Sequence, residues 1–305
     1  VQLSSDALDT DSFLLERDNL PSGGFVLRTP AVSHRDVKPE SVVLPEALGI
    51  GVDQNPLLLR WSGQEDYTVW NDTSTNLAGS FLVPTGSKIV GGLQGPNHGL
   101  IWTDVDVWAM SYLGNSDLVF AFNKLSTSCG LAATHAAIVY RGVVYWMGRS
   151  NFYRSAGGGV EVIPCTVWDA VFQDLDTANI DKCWAWGNSG FNEVWFFYPS
   201  TSGATGQCDK YAKLNVLDGV WDQGSLARAA GIDQSVLGSN PIAATSAGVI
   251  YNHESGTNGD GAQINSVMET GWFMLGEGDD AIFIDKIDPD MKWALYGASG
   301  SASVK

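Results

Sequence analysis

The chain has 305 residues, 44% of them hydrophobic, and its 34 acidic against 17 basic side chains give a formal charge of −17. That hydrophobic share excludes disorder on composition. No apolar run reaches the roughly 18 residues that cross a bilayer as a helix, because residues 136–147 are interrupted by Arg141 and Gly142. So negative a balance argues against duplex binding by phosphate neutralisation, which needs clustered Lys and Arg.

The 12 Trp, 12 Phe and 9 Tyr, with 35 Gly, point to an all-β protein with many turns. The chain opens at Val1 without a Met, and acids stand where the basic region of a signal peptide would sit. It therefore reads as trimmed or processed. Residues 1–52 form an irregular N-terminal segment punctuated by Pro21, Pro30, Pro39 and Pro45.

From Asp53 the pattern sharpens. Leu57-Leu58-Leu59-Arg60-Trp61 predicts a strand, followed by a polar turn over 62–66. Gly99-Leu100-Ile101-Trp102 predicts a second, turning through 103–106 into Val107-Trp108-Ala109-Met110-Ser111-Tyr112. Gly142-Val143-Val144-Tyr145-Trp146 repeats the design and turns through 147–151 into Phe152-Tyr153. Residues 190–198 and 248–251 supply two further copies of this leading strand. Gly99, Gly142, Gly190 and Gly248 open these units at intervals of 43, 48 and 58 residues. Such spacing with a hairpin per unit predicts β-propeller blades, whose period is ~40–50 residues. A β-sandwich or a β-solenoid is the alternative. Aligning the units puts Trp102, Trp146 and Trp195 at matching positions within a residue or two, buried between neighbouring blades.

One segment departs from the β pattern. Val167, Trp168, Val171, Phe172 and Leu175 form a helical stripe, which predicts one short inserted helix over about 165–175. The stripe either seals a gap between blades or docks a neighbouring subunit. The propeller body is thus expected over 53–290, with a further C-terminal element starting at 291–305.

Chemistry is sparse. Cys129, Cys165, Cys183 and Cys208 contain no C-x-x-C, so they read as buried thiols in a reduced compartment rather than metal ligands. The histidines are equally scattered. Asp104 and Asp106 form the one carboxylate pair worth weighing for hydrolysis, although Asp is also favoured in such turns. Asn258-Gly259-Asp260-Gly261 lacks the first carboxylate and the final Glu of a calcium loop. No phosphate loop, G-x-S-x-G elbow or H-E-x-x-H occurs. No catalytic residue, metal site or cofactor is expected. Glu277, Asp279, Asp280 and Asp285 form the densest acidic run. In a solvated loop they aid solubility; in a ring they would line a channel that repels phosphates.

Several strings resemble a family of tail proteins from tailed bacteriophages, known as phage stabilisation, tail-nozzle or tail-hub proteins. They are Leu59-Arg60-Trp61-Ser62-Gly63-Gln64-Glu65-Asp66 with Trp70, Tyr112-Leu113-Gly114, and Tyr145-Trp146-Met147-Gly148. Pro164-Cys165-Thr166-Val167 and residues 190–198 continue the series in the same order and spacing. Two departures stand out: Trp70-Asn71-Asp72 replaces a Trp-Thr-Pro-like turn, and the stretch before Asp53 lacks the aromatic strand pairs of the first blades. The resemblance implies a propeller assembled as a homohexameric ring in the virion tail, put together in the host cytoplasm. Its implied partners are the adaptor or head-tail connector and the fibre, spike or needle proteins. Genomic DNA would pass through without specific binding, and there would be no membrane span. In the Arg60–Asp66 string, Arg60 is expected to pair with Glu65 or Asp66 while Trp61 packs between blades. The other expectations to weigh are a carbohydrate-binding propeller adhesin and a propeller hydrolase.

Overall fold

A computed structural model describes residues 55–64, 66–114, 118–234 and 238–256, with Gly259 and Lys286. The chain divides into two compact units, 1–255 and 256–305, and every strand named below belongs to the first. The expected N-terminal segment 1–52 and C-terminal element 291–305 lie outside the described residues.

The first unit is a series of small antiparallel sheets. β1 (Leu58–Trp61) pairs with β2 (Gly79–Leu82). Then come β3 (Ile89–Gln94), β4 (Gly99–Thr103), β5 (Val107–Tyr112) and β6 (Phe120–Ser126), hydrogen-bonded in chain order. The same meander recurs in β7 (Ala137–Tyr140), β8 (Val143–Met147), β9 (Phe152–Ser155) and β10 (Glu161–Ile163). It recurs again in β11 (Trp184–Asn188), β12 (Glu193–Tyr198), β13 (Lys210–Asn215) and β14 (Trp221–Ser225). A three-stranded sheet follows, of β15 (Ala230–Ile232), β16 (Ile242–Ala244) and β17 (Ile250–Asn252).

The expected leading strands are therefore corrected. Residues 99–103, 143–147 and 193–198 are the second strands of their sheets, and 250–252 is a third strand. The true first strands are β3, β7 and β11, of which β3 carries Gly91 and Gly92 and β11 carries Gly187. The β12 strand starts at Glu193 rather than Gly190, since Asn192 has φ of 60° and belongs to the preceding turn. Arg141 and Gly142, both at positive φ, close the β7–β8 hairpin in the manner that matches strand twist.

Two short helical pieces replace the single predicted helix. α1 spans only Trp168–Phe172, and a 3-10 helix follows at Thr177–Lys182. The reason lies at Leu175, which bridges Ser200, while Thr201 N–H donates to the Asp174 carbonyl at 2.7 Å. Sheet-like pairing captures the backbone before a third turn can form. The apolar stripe survives: Val171 and Leu175 are buried against the main core.

Successive sheets pack face to face through aromatic rings. Trp102 of β4 meets Trp146 of β8, with centroids 5.5 Å apart. Phe152 of β9 meets Phe196 of β12 at 4.8 Å and Trp221 of β14 at 4.6 Å. Phe81 of β2 stacks on Phe122 of β6 at 4.0 Å. On β12, Val194, Phe196 and Tyr198 join the main core, while Trp195 and Phe197 join a second cluster with Ala243 of β16. Burial on both faces explains why 194–198 reads as an unbroken apolar run.

The first strands also adjoin one another: β3 lies beside β7, β7 beside β11, and β11 beside β15. Thr134 Oγ1 donates to the Val90 carbonyl, and Ala185 N–H to the His135 carbonyl, each at 2.9 Å. This approach is why Gly187 sits in β11. A Cβ there would lie 3.0 Å from Tyr140 Cδ2 and 3.3 Å from Ile138 Cδ1, both on β7.

Candidate functional site

The Arg60–Asp66 string folds as a local turn. Arg60 donates from its guanidinium to the Trp70 carbonyl at 2.7 Å. Asp66 accepts instead from the backbone N–H and hydroxyl of Thr68, at 2.9 and 2.6 Å. Those bonds hold the Asp66 carboxyl below its ordinary value. The expected partner Glu65 lies outside the described residues. Trp61 donates its indole N–H to the Leu77 carbonyl at 2.9 Å and packs on Phe120 and Phe122 of β6. It sits between one sheet and the next.

Trp102 and Trp146 are wholly buried, and Trp195 is nearly so. Their alignment, however, is offset. The hairpin ends Trp102↔Val107 and Met147↔Phe152 correspond, so Trp146 lies one residue before the position equivalent to Trp102. One residue along a strand changes the face. Trp102 therefore points on to the next sheet while Trp146 points back, and both meet in the same seam. Trp146 caps the contact by donating to the Cys129 carbonyl at 2.9 Å. Trp195 serves the next seam but one, against Trp186, Phe197 and Tyr211.

Asp104 and Asp106 serve separate networks. Asp104 accepts from Ser87 N–H at 2.7 Å and Ser87 Oγ at 2.6 Å. Asp106, 2% exposed, pairs with Lys124 at 2.7 Å. Burial pushes both carboxyls up, but the bonds from Ser87 and Lys124 outweigh it and hold both below the usual range. Neither has the raised pKa that a general acid for glycoside cleavage requires.

Two polar clusters carried no sequence signal. Lys213 of β13 lies 3.0 Å from Glu193 and 3.4 Å from Asp222, with its ammonium 4.9 Å from the Trp195 ring centroid. Arg228 and His253 form the other, between the last two sheets. Strand pairing brings the first set together, and the second meets in the loops flanking β15 and β17.

The four cysteines are free, and three are buried. Burial pushes the Cys165 thiol up to about 11 and Cys183 well above its ordinary value. Among the described residues, no group of three or more His, Cys, Asp or Glu could hold a metal ion. Among them too, no helix is long and apolar enough to cross a membrane. Glu277, Asp279, Asp280 and Asp285, the expected channel-lining acids, lie outside the described residues.

What remains exposed and unusual is one end of the sheets. The β3–β4 and β9–β10 turns meet at Asn97 and Gly157, and the β7–β8 and β11–β12 turns are joined by Arg141 and Asn192. These hairpins therefore share an end. On it stand Tyr112 at 68% exposure, Leu217 at 64% and Val220 at 62%, with Leu113, Leu118 and Phe191 about half exposed. Apolar turn tips suit contact with a protein surface. No protein-family model matches the chain, and no curated protein does either.

Proposed function

We propose that the chain is a structural subunit of a short-tailed bacteriophage tail, a propeller that assembles as a six-membered nozzle or hub ring. In this reading the ring extends the portal and adaptor channel, retains the genome and conducts it during ejection. One observation carries the proposal: the tail-protein strings recur collinearly from Leu59 to Tyr198. Three of them lie at the first strand of the hairpin 58–82, at the end of β5 and across β8, and the last covers β12.

Consecutive four-stranded meanders with adjoining first strands support the propeller part of this reading. The engaged, low-pKa carboxylates Asp104 and Asp106 favour a structural over a hydrolytic role. Exposed apolar hairpin tips offer contact area for neighbouring tail proteins. The channel role of Glu277, Asp279, Asp280 and Asp285 belongs to the same proposal: like charge would let duplex DNA slide without sticking.

A second reading, a carbohydrate-binding adhesin, is favoured by the exposed ring of Tyr112, which could stack on a sugar. Sedimentation of the full chain together with a glycan array separates the two. Ring-sized assembly without glycan binding supports the tail subunit. A glycan-binding monomer overturns it.

A further inference from the structure

Polar links converge where the sheet of β15–β17 meets that of β11–β14. Arg228, in the connection from β14 to β15, donates from Nε to His253 Nε2 at 3.0 Å. Its guanidinium lies 4.4 Å from the Tyr251 ring centroid, and its carbonyl accepts the Trp184 indole N–H at 3.0 Å. His253 stands edge-on to Trp186 with centroids 5.1 Å apart, and its backbone N–H donates to the Pro241 carbonyl at 2.7 Å. Beside it, Glu254 accepts from Asn188 Nδ2 at 3.1 Å. The last sheet is thus tied to β11 through Arg228, His253 and Glu254.

An arginine N–H can only donate, so Nε2 of His253 must carry its lone pair and the imidazole must be neutral. Protonation would replace the bond by two cations in contact. We propose that Arg228 and His253 form an acid-sensitive latch that holds the β15–β17 sheet against the β11–β14 sheet.

The surroundings offer the imidazolium little relief. From β11, Trp186 packs on the ring, Trp184 bonds Arg228 and Asn188 bonds Glu254, none of the three charged, and β16, paired with β17, carries only Ile242, Ala243 and Ala244. On its own side of the seam lie Tyr251 and Glu254, the latter held by Asn188. Asp233 accepts from Ser189 N–H at 2.9 Å. Arg228 and Tyr251 make further interactions besides these. Burial first, and then the Arg228 charge, press His253 down from 6.5 to about 4. An unfolded or detached histidine binds its proton near pH 6.5, so the latch contributes fully above that pH. It weakens as pH falls toward 4, where the folded histidine protonates as well.

Cys208 reports on this seam, because it is buried in one cluster with Trp184, Trp186 and Ala243. Cys129 belongs to the other core and serves as the internal control. The full chain is labelled with 4,4′-dithiodipyridine, which captures thiols at acid pH, and each cysteine is read by peptide mass spectrometry. The expected result is a rise of about sixtyfold in the Cys208 to Cys129 labelling ratio from pH 7 to 4.5, centred between pH 4 and 6.5. His253→Gln keeps an acceptor for Arg228 but cannot protonate, and its ratio should stay flat. An unchanging wild-type ratio overturns the latch, as does an equal rise in His253→Gln. Should that variant fail to fold, the wild-type ratio alone decides in the same way.

Discussion

Replacing Trp146 by alanine tests the packing of the sheets at its densest point. The ring has no exposed surface, sits 5.5 Å from the centroids of both Trp102 and Tyr153, and donates to the Cys129 carbonyl. Truncating a buried aromatic to Ala costs about 3–5 kcal/mol through lost transfer energy and the cavity left behind. The stranded carbonyl adds about 1 kcal/mol. The sum, about 4–6 kcal/mol, corresponds to roughly 10–20 °C in Tm for a unit of this size. Trp146→Phe keeps most of the ring but still strands Cys129, so it should lose about 1–3 kcal/mol. Trp102→Phe offers the contrast. The Trp102 indole N–H has no acceptor among the described residues, so its removal strands nothing. Urea denaturation followed by tryptophan fluorescence, with melts by circular dichroism, measures all three. A loss under about 1 kcal/mol for Trp146→Ala would show that the ring is not held between two sheets.

Gly187→Val should destabilise by about 1–3 kcal/mol, because the added carbons meet Tyr140 and Ile138 of β7; unchanged urea midpoints would refute the close approach. Lys213→Met should cost about 2–3 kcal/mol by leaving the largely buried Glu193 carboxylate without its cation, and a Glu193→Gln partner in a double-mutant cycle should recover most of it; additive losses would deny the coupling. Burial raises the Asp174 carboxyl, but hydrogen bonds from Lys210 and Thr201 outweigh it and keep it below 3.8. Its contribution is therefore full above about pH 3.8 and is lost as pH falls through the lower folded value. Asp174→Asn should remove that acid-dependent step, and an identical pH profile in wild type and variant would exclude it.

The all-β character and the β4–β5 and β8–β9 hairpins were legible in the chain because alternating aromatic and aliphatic residues flank polar turns. The β5 strand matches its expected span, and residues 57–61 differ from β1 by one residue at the start. Of the first strands, β3 escaped notice for a physical reason. In Ile89–Gln94, Gly91 and Gly92 break the apolar run where the chain leading into β7 approaches, whereas Trp184-Ala185-Trp186 of β11 did carry an alternation that went unread. The helix was overestimated because its apolar stripe is real, while the pairing of Leu175 with Ser200 that ends it depends on a residue 25 positions away. Trp102 and Trp146 match within one residue and are both buried as expected, but that one residue puts them on opposite faces of their sheets, which alignment within a residue or two could not resolve. Of the Arg60 string, the turn was legible, while the bond from Arg60 to the Trp70 carbonyl had no signal in the sequence. The Arg228–His253 contact joins residues 25 positions apart, one in the β14–β15 connection and one just past β17, and had no local signature at all.

The central claim is that this chain is a ring subunit of a virion tail. Quantitative mass spectrometry of purified virions encoded by the genome carrying this chain tests it most directly. The account predicts the chain in intact particles at six copies for each portal ring, lost together with the tail when tails are sheared away. Particles that contain portal and adaptor proteins in full but none of this chain would contradict it.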